Sequence, residues 1–209
     1  MAVERPWITI VGTGPGSPEY LTAAAQRAIE GADVLVGAAR LLDTFCPLHV
    51  ERIVLGSDLQ ATLSAIARSA PKPIVVLVSG DPGIRSFAHA VVARFGKDAC
   101  RILPGISSVQ VAFAREALDW SDARIVDAHG GIPELDPSAA RALPKIAVLT
   151  GCRAAAPWLS ALFSELQPTH RVVVYQDLTL STERVVPFHA DLAALPRTIV
   201  LFLRKELSS

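Results

Sequence analysis

Three short segments hold the residues whose types and order could do chemistry. Gly12-Thr13-Gly14-Pro15-Gly16 supplies glycines that let a backbone turn tightly and approach a ligand closely. Ser79-Gly80-Asp81-Pro82-Gly83 places a lone carboxylate where a cationic or multi-donor ligand could sit, or where it would cap a following helix. Pro104-Gly105-Ile106-Ser107-Ser108-Val109-Gln110 offers two adjacent hydroxyls that can cap a helix, turn toward a ligand, or do both. The glycine segment invites a dinucleotide-binding reading, and its neighbours count against one. That fingerprint needs a glycine where Ser17 stands and an acid where the next strand ends in Val36-Gly37. The common Rossmann-like methyltransferases also place an acid just before their glycines, and this chain has Val11 there. Nowhere does a Ser-His-Asp or Cys-His pattern occur with recognisable spacing.

Each segment follows an apolar run of strand length. The pattern predicts strands over 7–11, 34–36, 50–55, 73–78 and 101–103, alternating with helices over 18–32, 38–45, 57–70, 84–95 and 107–118. Ser17 reads as the cap of the first helix, with Pro18 in its first position. In the third helix Leu59, Leu63, Ile66 and Ala67 share one face. The run 73–78 is nearly all apolar, as a strand buried on both faces should be. Strict alternation of strand and helix implies a mostly parallel sheet covered by helices. All three segments then open from the carboxyl ends of strands, where open α/β sheets bind ligands.

Asp119-Trp120-Ser121-Asp122 is the expected joint, dividing the chain into an N-terminal α/β domain over 1–118 and a C-terminal α/β domain over 119–209. Beyond the joint, strands over 124–128, 146–149, 171–176, 183–187 and 198–203 outnumber helices over 154–166 and 191–195. A mixed, partly antiparallel sheet follows from that order. The segment 129–137, with two glycines and two prolines, is the expected mobile loop. Trp7 and Trp158 read as packing residues. The fold class expected is α/β, as two α/β domains with a cleft between them.

Composition sets the outer bounds. With 51% hydrophobic and 19% charged residues among 209, the chain has ample material for a real core, which excludes a disordered tail. Lys and Arg total 20, as do Asp and Glu, so the basic excess that nucleic-acid binders carry is missing. Cys46, Cys100 and Cys152 are odd in number and form no CxxC, which argues against a disulfide framework or a metal site. The start Met1-Ala2-Val3-Glu4-Arg5-Pro6 lacks a signal-peptide pattern, and the longest apolar runs fall far short of the roughly 20 residues that span a bilayer. These features read as a soluble, cytoplasmic protein without a membrane partner.

Together the three segments cease to be generic. In their order and spacing the chain resembles the tetrapyrrole methylases, the class III S-adenosylmethionine-dependent methyltransferases, over essentially its whole length. Pro-Gly-Ile-Ser-Ser-Val-Gln, then Trp120-Ser121-Asp122 and Ala128-His129-Gly130, look most like the CbiE-type subfamily. The resemblance implies methylation of C5 of a precorrin-7 or cobalt-precorrin-7 type tetrapyrrole in cobalamin synthesis. It also implies S-adenosylmethionine in the interdomain cleft, S-adenosylhomocysteine as product, and a homodimer. Pro15, Ser79, Gly80, Asp81, Ile84, Ser107 and Ser108 match the family's cofactor contacts, with Thr150, Asp177, Leu178 and Thr198 supplying the rest. The glycine loop, with Gly14 and Gly16, is implied to face the substrate. In fused relatives the same domain forms the N-terminal half of a C5,15-methyltransferase, so a C15-methylating and decarboxylating domain is the partner implied. Two stretches depart from the family: Gly83-Ile84-Arg85-Ser86, and Ala128-His129-Gly130-Gly131 where a basic residue is expected.

The residues agree with that chemistry. Methyl transfer from a sulfonium to an electron-rich carbon needs positioning more than a nucleophile. His129 is the candidate base for a departing proton. A substrate with many carboxylates calls for arginines, and Arg40 and Arg85 are the nominees, with Arg115 a weaker choice. The rival readings are a class III methyltransferase acting on ribosomal RNA or a modified protein residue, and a non-catalytic S-adenosylmethionine-binding half of a fusion. An RNA substrate would call for a basic face, which a net charge of zero does not favour.

Overall fold

The computed structural model describes residues 6–208; the leader reading of Met1–Arg5 and the terminal Ser209 lie outside them. Two compact units divide the chain, one ending at Ser107 and the other beginning at Ser108.

The first unit is a five-stranded sheet in the order β3-β2-β4-β1-β5. Its strands are β1 (Ile8–Gly12), β2 (Val34–Gly37), β3 (Glu51–Val54), β4 (Ile74–Val78) and β5 (Cys100–Leu103), and every pairing is parallel. The expected parallel sheet is therefore present, and β4 is buried at every residue. Period-two alternation splits its apolar side chains between two faces. Ile8, Ile10, Val34, Val36, Ile74 and Val76 pack with Leu63 and Ile66 of α3 (Leu59–Ser69) and Val91 of α4 (Ala88–Phe95). Val11, Leu35, Val75 and Leu77 pack instead with Ala25 and Ile29 of α1 (Ala23–Glu30) and Leu41 and Leu42 of α2 (Ala39–Phe45). Right-handed crossovers explain the division. Connections that step toward β3 run over one face, and those that step toward β5 run over the other. Both edge strands carry exposed charge, Glu51 and Arg52 on β3 and Arg101 on β5, which blunts edge pairing.

Two helices differ from the sequence expectation. Residues 18–32 do not form one helix. Pro18–Tyr20 is a 3-10 turn capped by the Ser17 hydroxyl, and α1 starts afresh behind Thr22, whose hydroxyl accepts the Ala25 N–H at 3.1 Å. Two competing caps within six residues each start an element of their own. Helix α4 starts at Ala88 and not at 84, because Arg85 adopts a φ of 31° and Ser86 turns its hydroxyl onto Pro82 O at 2.8 Å.

The second unit is also five-stranded, ordered β6-β7-β10-β8-β9, with β6 (Arg124–Asp127), β7 (Lys145–Leu149), β8 (His170–Gln176), β9 (Arg184–Val186) and β10 (Thr198–Arg204). Only β6 and β7 pair in parallel; the other pairings are antiparallel, as a mixed sheet requires. One face packs Val126, Ile146, Val148, Val174 and Phe202 against Trp158, Leu159 and Leu162 of α6 (Ala156–Leu166). Helix α5 (Ser108–Arg115) lies against β10 and belongs with this unit, so the units part before it and not at the expected 118/119 joint. It is shorter than expected because Ala117 takes a φ of 54°. The last short helix is a 3-10 turn, Ala190–Ala194. The loop 129–137 is tied down at Leu135, whose carbonyl accepts the Trp158 indole N–H at 2.7 Å. Trp7 packs edge-on against Phe95, so both tryptophans are packing residues.

The 119–122 segment is clamped to β7 by one buried cation. Lys145 Nζ reaches Asp119 Oδ2 at 2.9 Å, Asp119 O at 3.0 Å and Asp122 Oδ1 at 2.7 Å. Lys145 and the hydroxyl and amide of Ser121 pull the Asp119 carboxyl down to about 2. A carboxyl depressed in the folded state stabilises above its unfolded pKa of about 3.9 and loses that contribution as pH falls toward 2. Asp119→Asn should therefore flatten the fall of the urea midpoint between about pH 4 and pH 2. An unchanged pH profile would mean that the clamp contributes nothing.

Candidate functional site

In the first unit the sequence-nominated residues do converge, at the carboxyl ends of β1, β4 and β5. Three glycine backbones meet there almost in contact. A Cβ on Gly12 would stand 2.6 Å from both Gly105 N and Gly80 O, and one on Gly105 would stand 2.7 Å from Gly12 C and closer still to Gly80 O. The loops after β1 and β4 are stitched by a two-residue antiparallel bridge: Gly80 N donates to Gly14 O at 2.8 Å and Gly14 N to Gly80 O at 3.3 Å. Thr13, which sequence reasoning passed over, adds a third stitch with its buried hydroxyl on Val78 O at 3.0 Å. Here β1 and β4 send their connections to opposite faces, the place where open α/β sheets receive ligands.

Asp81 completes this frame. Its Oδ1 accepts the Gly83 N–H at 2.8 Å and its Oδ2 the Gly105 N–H at 3.0 Å. The carboxylate therefore ties the Ser-Gly-Asp-Pro loop to the Pro-Gly-Ile loop, and does not cap α4. Each oxygen still has a lone pair for a further donor. Gly80 lies with φ of 64°, and a Cβ there would meet only Ser107 Cα, at 3.8 Å, so its Cα is open on the side where a side chain would project. Arg40, at the start of α2, donates its guanidinium to the Ser79 hydroxyl, which brings a nominated substrate residue onto a nominated cofactor residue. Pro15, Gly16 and Ile84 are partly exposed on the same loops, Arg85 is exposed, and Ser107 is buried. An open Cα face, hydroxyls and a carboxylate with spare lone pairs suit the adenosyl, amino and sulfonium groups of S-adenosylmethionine.

In the second unit the nominated residues gather at one end of the sheet, where β6, β7 and β8 finish and β10 begins. The Thr150 hydroxyl donates toward Leu195 O at 2.9 Å and Thr198 O at 3.1 Å, and Thr150 N donates to Thr198 O at 3.2 Å. Asp177 takes a φ of 54°, its amide donates to Arg197 O at 3.0 Å, and its carboxylate pairs with Arg197 at 2.7 Å and accepts the Thr182 hydroxyl at 3.0 Å. Leu178 is buried beside it. Thr150 and Thr198 are buried with their hydroxyls turned onto backbone carbonyls, so neither hydroxyl is directed at a ligand. His129 follows β6, and its Nδ1 lies 3.0 Å from Thr150 O. Ser108 opens α5. Arg115, the weaker nominee, is engaged bidentately by Glu183 at 2.8 and 3.1 Å. Among the described residues no group of three His, Cys, Asp or Glu is placed to hold a metal, and no helix is long and apolar enough to cross a membrane.

The family model for the Tetrapyrrole (Corrin/Porphyrin) Methylases matches residues 8–195, spanning both units. The chain belongs to the tetrapyrrole methylase family. Among curated relatives, this methylase is 36% identical to the cobalt-precorrin-7 C(5)-methyltransferase of Salmonella typhimurium over 179 residues, covering 85% of this chain and 88% of the relative. It is 32% identical to the decarboxylating precorrin-6Y C(5,15)-methyltransferase of a Sinorhizobium species, over 62% of this chain but 32% of that longer protein. Among solved structures, the precorrin-6Y methylase (CbiE) of Archaeoglobus fulgidus superposes with a TM-score of 0.68 and 26% identity, covering 95% of this chain and 98% of that one. The uroporphyrin-III C-methyltransferase of Thermus thermophilus with bound S-adenosylhomocysteine shares the methylase fold at a TM-score of 0.75 and 21% identity, covering 94% of this chain and 96% of that one.

Proposed function

We propose that this methylase transfers a methyl group from S-adenosylmethionine to C5 of a precorrin-7 or cobalt-precorrin-7 type tetrapyrrole. The observation that carries the reading is the match, at 36% identity over 85% of the chain, to a relative of that named activity. S-adenosylmethionine, when bound, supplies an activated methyl on a sulfonium. The task of the chain's own residues is to hold donor and acceptor in line, an effect that reaches about 7–11 kcal/mol in well-oriented systems.

Pro15, Ser79, Gly80, Asp81, Ile84 and Ser107 of the first unit would hold the cofactor, with Ser108, Thr150, Asp177, Leu178 and Thr198 of the second. The open Cα face of Gly80 and the spare lone pairs of Asp81 support the first group. The main-chain positions locked by Thr150, Asp177 and Thr198 support the second. Arg40 and Arg85 would receive substrate carboxylates, where a planar guanidinium binds two oxygens at once. Gly14 and Gly16 would admit the macrocycle close to backbone, and His129 would take the departing proton. We read the protein as a cytoplasmic homodimer, which light scattering on the purified chain checks.

This chain alone should add one methyl and should not decarboxylate. The Sinorhizobium relative named for both methylations and decarboxylation matches over only 32% of its length, leaving the remainder, or a separate partner protein, for the C15 and decarboxylating steps. The test is incubation with S-adenosylmethionine and late precorrins, with and without cobalt, read by mass spectrometry and NMR. One methyl located at C5 supports the reading. Two methyls with loss of carbon dioxide, or none with any precorrin, overturns it.

A further inference from the structure

We infer that Gly151 and the Thr150 carbonyl together set the tautomer and aim of His129, leaving Nε2 as the proton acceptor. The inference rests on the methyltransferase reading above for its function, but not for its geometry. His129 Nδ1 lies 3.0 Å from Thr150 O. A carbonyl only accepts, so the ring must carry its proton on Nδ1, and the neutral ring keeps its lone pair on Nε2. Nε2 has no hydrogen-bond partner among the described residues, and the histidine is exposed.

Two further contacts place the ring. The His129 amide is anchored on Asp127 Oδ1 at 2.9 Å, which fixes the turn out of β6. From the other side Gly151 makes the room: a Cβ there would clash with the imidazole, 2.9 Å from Cγ and closer still to Nδ1. The Nδ1 edge of the ring thus packs against the Gly151 backbone. That backbone is fixed in turn, since Gly151 N donates to Ala193 O at 2.9 Å and Gly151 has a φ of 152°. Gly151 is a positioning residue, and no other amino acid leaves space for this ring.

The chemical use of such an acceptor follows from the charge balance. Methylation forms a carbon–carbon bond with an electron pair of the macrocycle, while the carbon–sulfur pair returns to sulfur. The methylated macrocycle then carries one excess positive charge, which it loses as a proton. Nε2 takes that proton, the imidazolium is held by Thr150 O through Nδ1–H, and the proton passes on to water.

Two measurements decide the matter. In the uniformly nitrogen-15-labelled wild-type protein, long-range proton–nitrogen correlation with the ring neutral should show His129 Nδ1 protonated and Nε2 bare. The His129→Asn variant, in which those signals vanish, assigns them. Asparagine keeps a side-chain N–H for Thr150 O but has nothing at the Nε2 position. H129N should therefore retain the wild-type melting temperature and S-adenosylmethionine affinity, while turnover with a late precorrin falls about 100-fold or more. An Nε2-protonated ring, or an H129N variant with wild-type turnover, overturns the inference. Failure of the wild-type protein to methylate any precorrin overturns instead the proposed function, and leaves the tautomer result standing.

Discussion

Gly105→Ala should be the most damaging single methyl that can be added to this protein. The new Cβ would stand 2.7 Å from Gly12 C and O and still closer to Gly80 O, all of them backbone atoms. A flexible side chain could turn aside; these cannot. Gly12 ends β1 in parallel register with β4, and Gly80 is held by two main-chain hydrogen bonds to Gly14. Relief therefore requires β5 to part from β1, or the Gly14–Gly80 bridge to open. Overpacking a well-packed core costs typically about 1–3 kcal/mol, and rigid backbone on both sides places this case at the upper end. For a chain of this size that is on the order of a 10 °C fall in Tm. S-adenosylmethionine affinity should fall with it, because the loops that move carry the proposed cofactor contacts Ser79, Gly80, Asp81 and Ser107. Calorimetric melting and ligand titration check both effects. A Gly105→Ala protein with unchanged Tm and affinity would show that the three strand ends are not in the contact described.

Asp81→Asn is the second large effect, and it separates two uses of one carboxylate. Both oxygens accept backbone N–H groups, from Gly83 and from Gly105. Asparagine keeps one oxygen and turns an NH2 group toward the other N–H, so one of the two bonds becomes a donor facing a donor. Hydrogen bonds to a charged group are worth about 1.5–3 kcal/mol, and the loss should appear in urea unfolding. Micromolar S-adenosylmethionine binding, about −8 kcal/mol, should weaken at least about tenfold, or about 1.4 kcal/mol, as the loop is released and the negative charge removed. Asp81→Ala should be worse in both measurements, since it abandons both N–H groups. Isothermal titration with unchanged affinity in both variants would remove Asp81 from the proposed cofactor site.

Much of this protein was legible before any coordinates. Runs such as 73–78 announce strands because a strand covered on both faces must be apolar throughout, and all ten strands fall within a residue or two of where the apolar pattern puts them. The change from alternating strands and helices to consecutive strands announces the change from a parallel to a mixed sheet, since parallel neighbours need a crossover and antiparallel ones do not. The residue types at the strand ends, Asp81, Ser79, Ser107 and the glycines, were visible for the same local reason: turns and caps draw on few amino acids.

What local pattern could not supply is anything that depends on which strands become neighbours. The order β3-β2-β4-β1-β5 inserts β4 beside β1 and carries β5 to its other side, and only then do residues 12, 80 and 105 touch. In the sequence their glycines read as freedom to turn or to meet a ligand, whereas Gly12 and Gly105 are small because backbone meets backbone. Asp81 likewise reads in sequence as a cap or a ligand group, and its bond to Gly105 lies across 24 positions of chain. The division at Ser107 was hidden too, because α5 is assigned by the strand it lies against, β10, and not by its own pattern. Gly151 carried no signal at all. Its reason for being glycine is the His129 ring, which reaches it only once β6 and β7 pair in parallel, Asp127 beside Leu149. Periodicity and composition act through a residue's own few neighbours in the chain, so they settle the elements; the site is made of contacts between distant positions, and those exist only in the folded sheet.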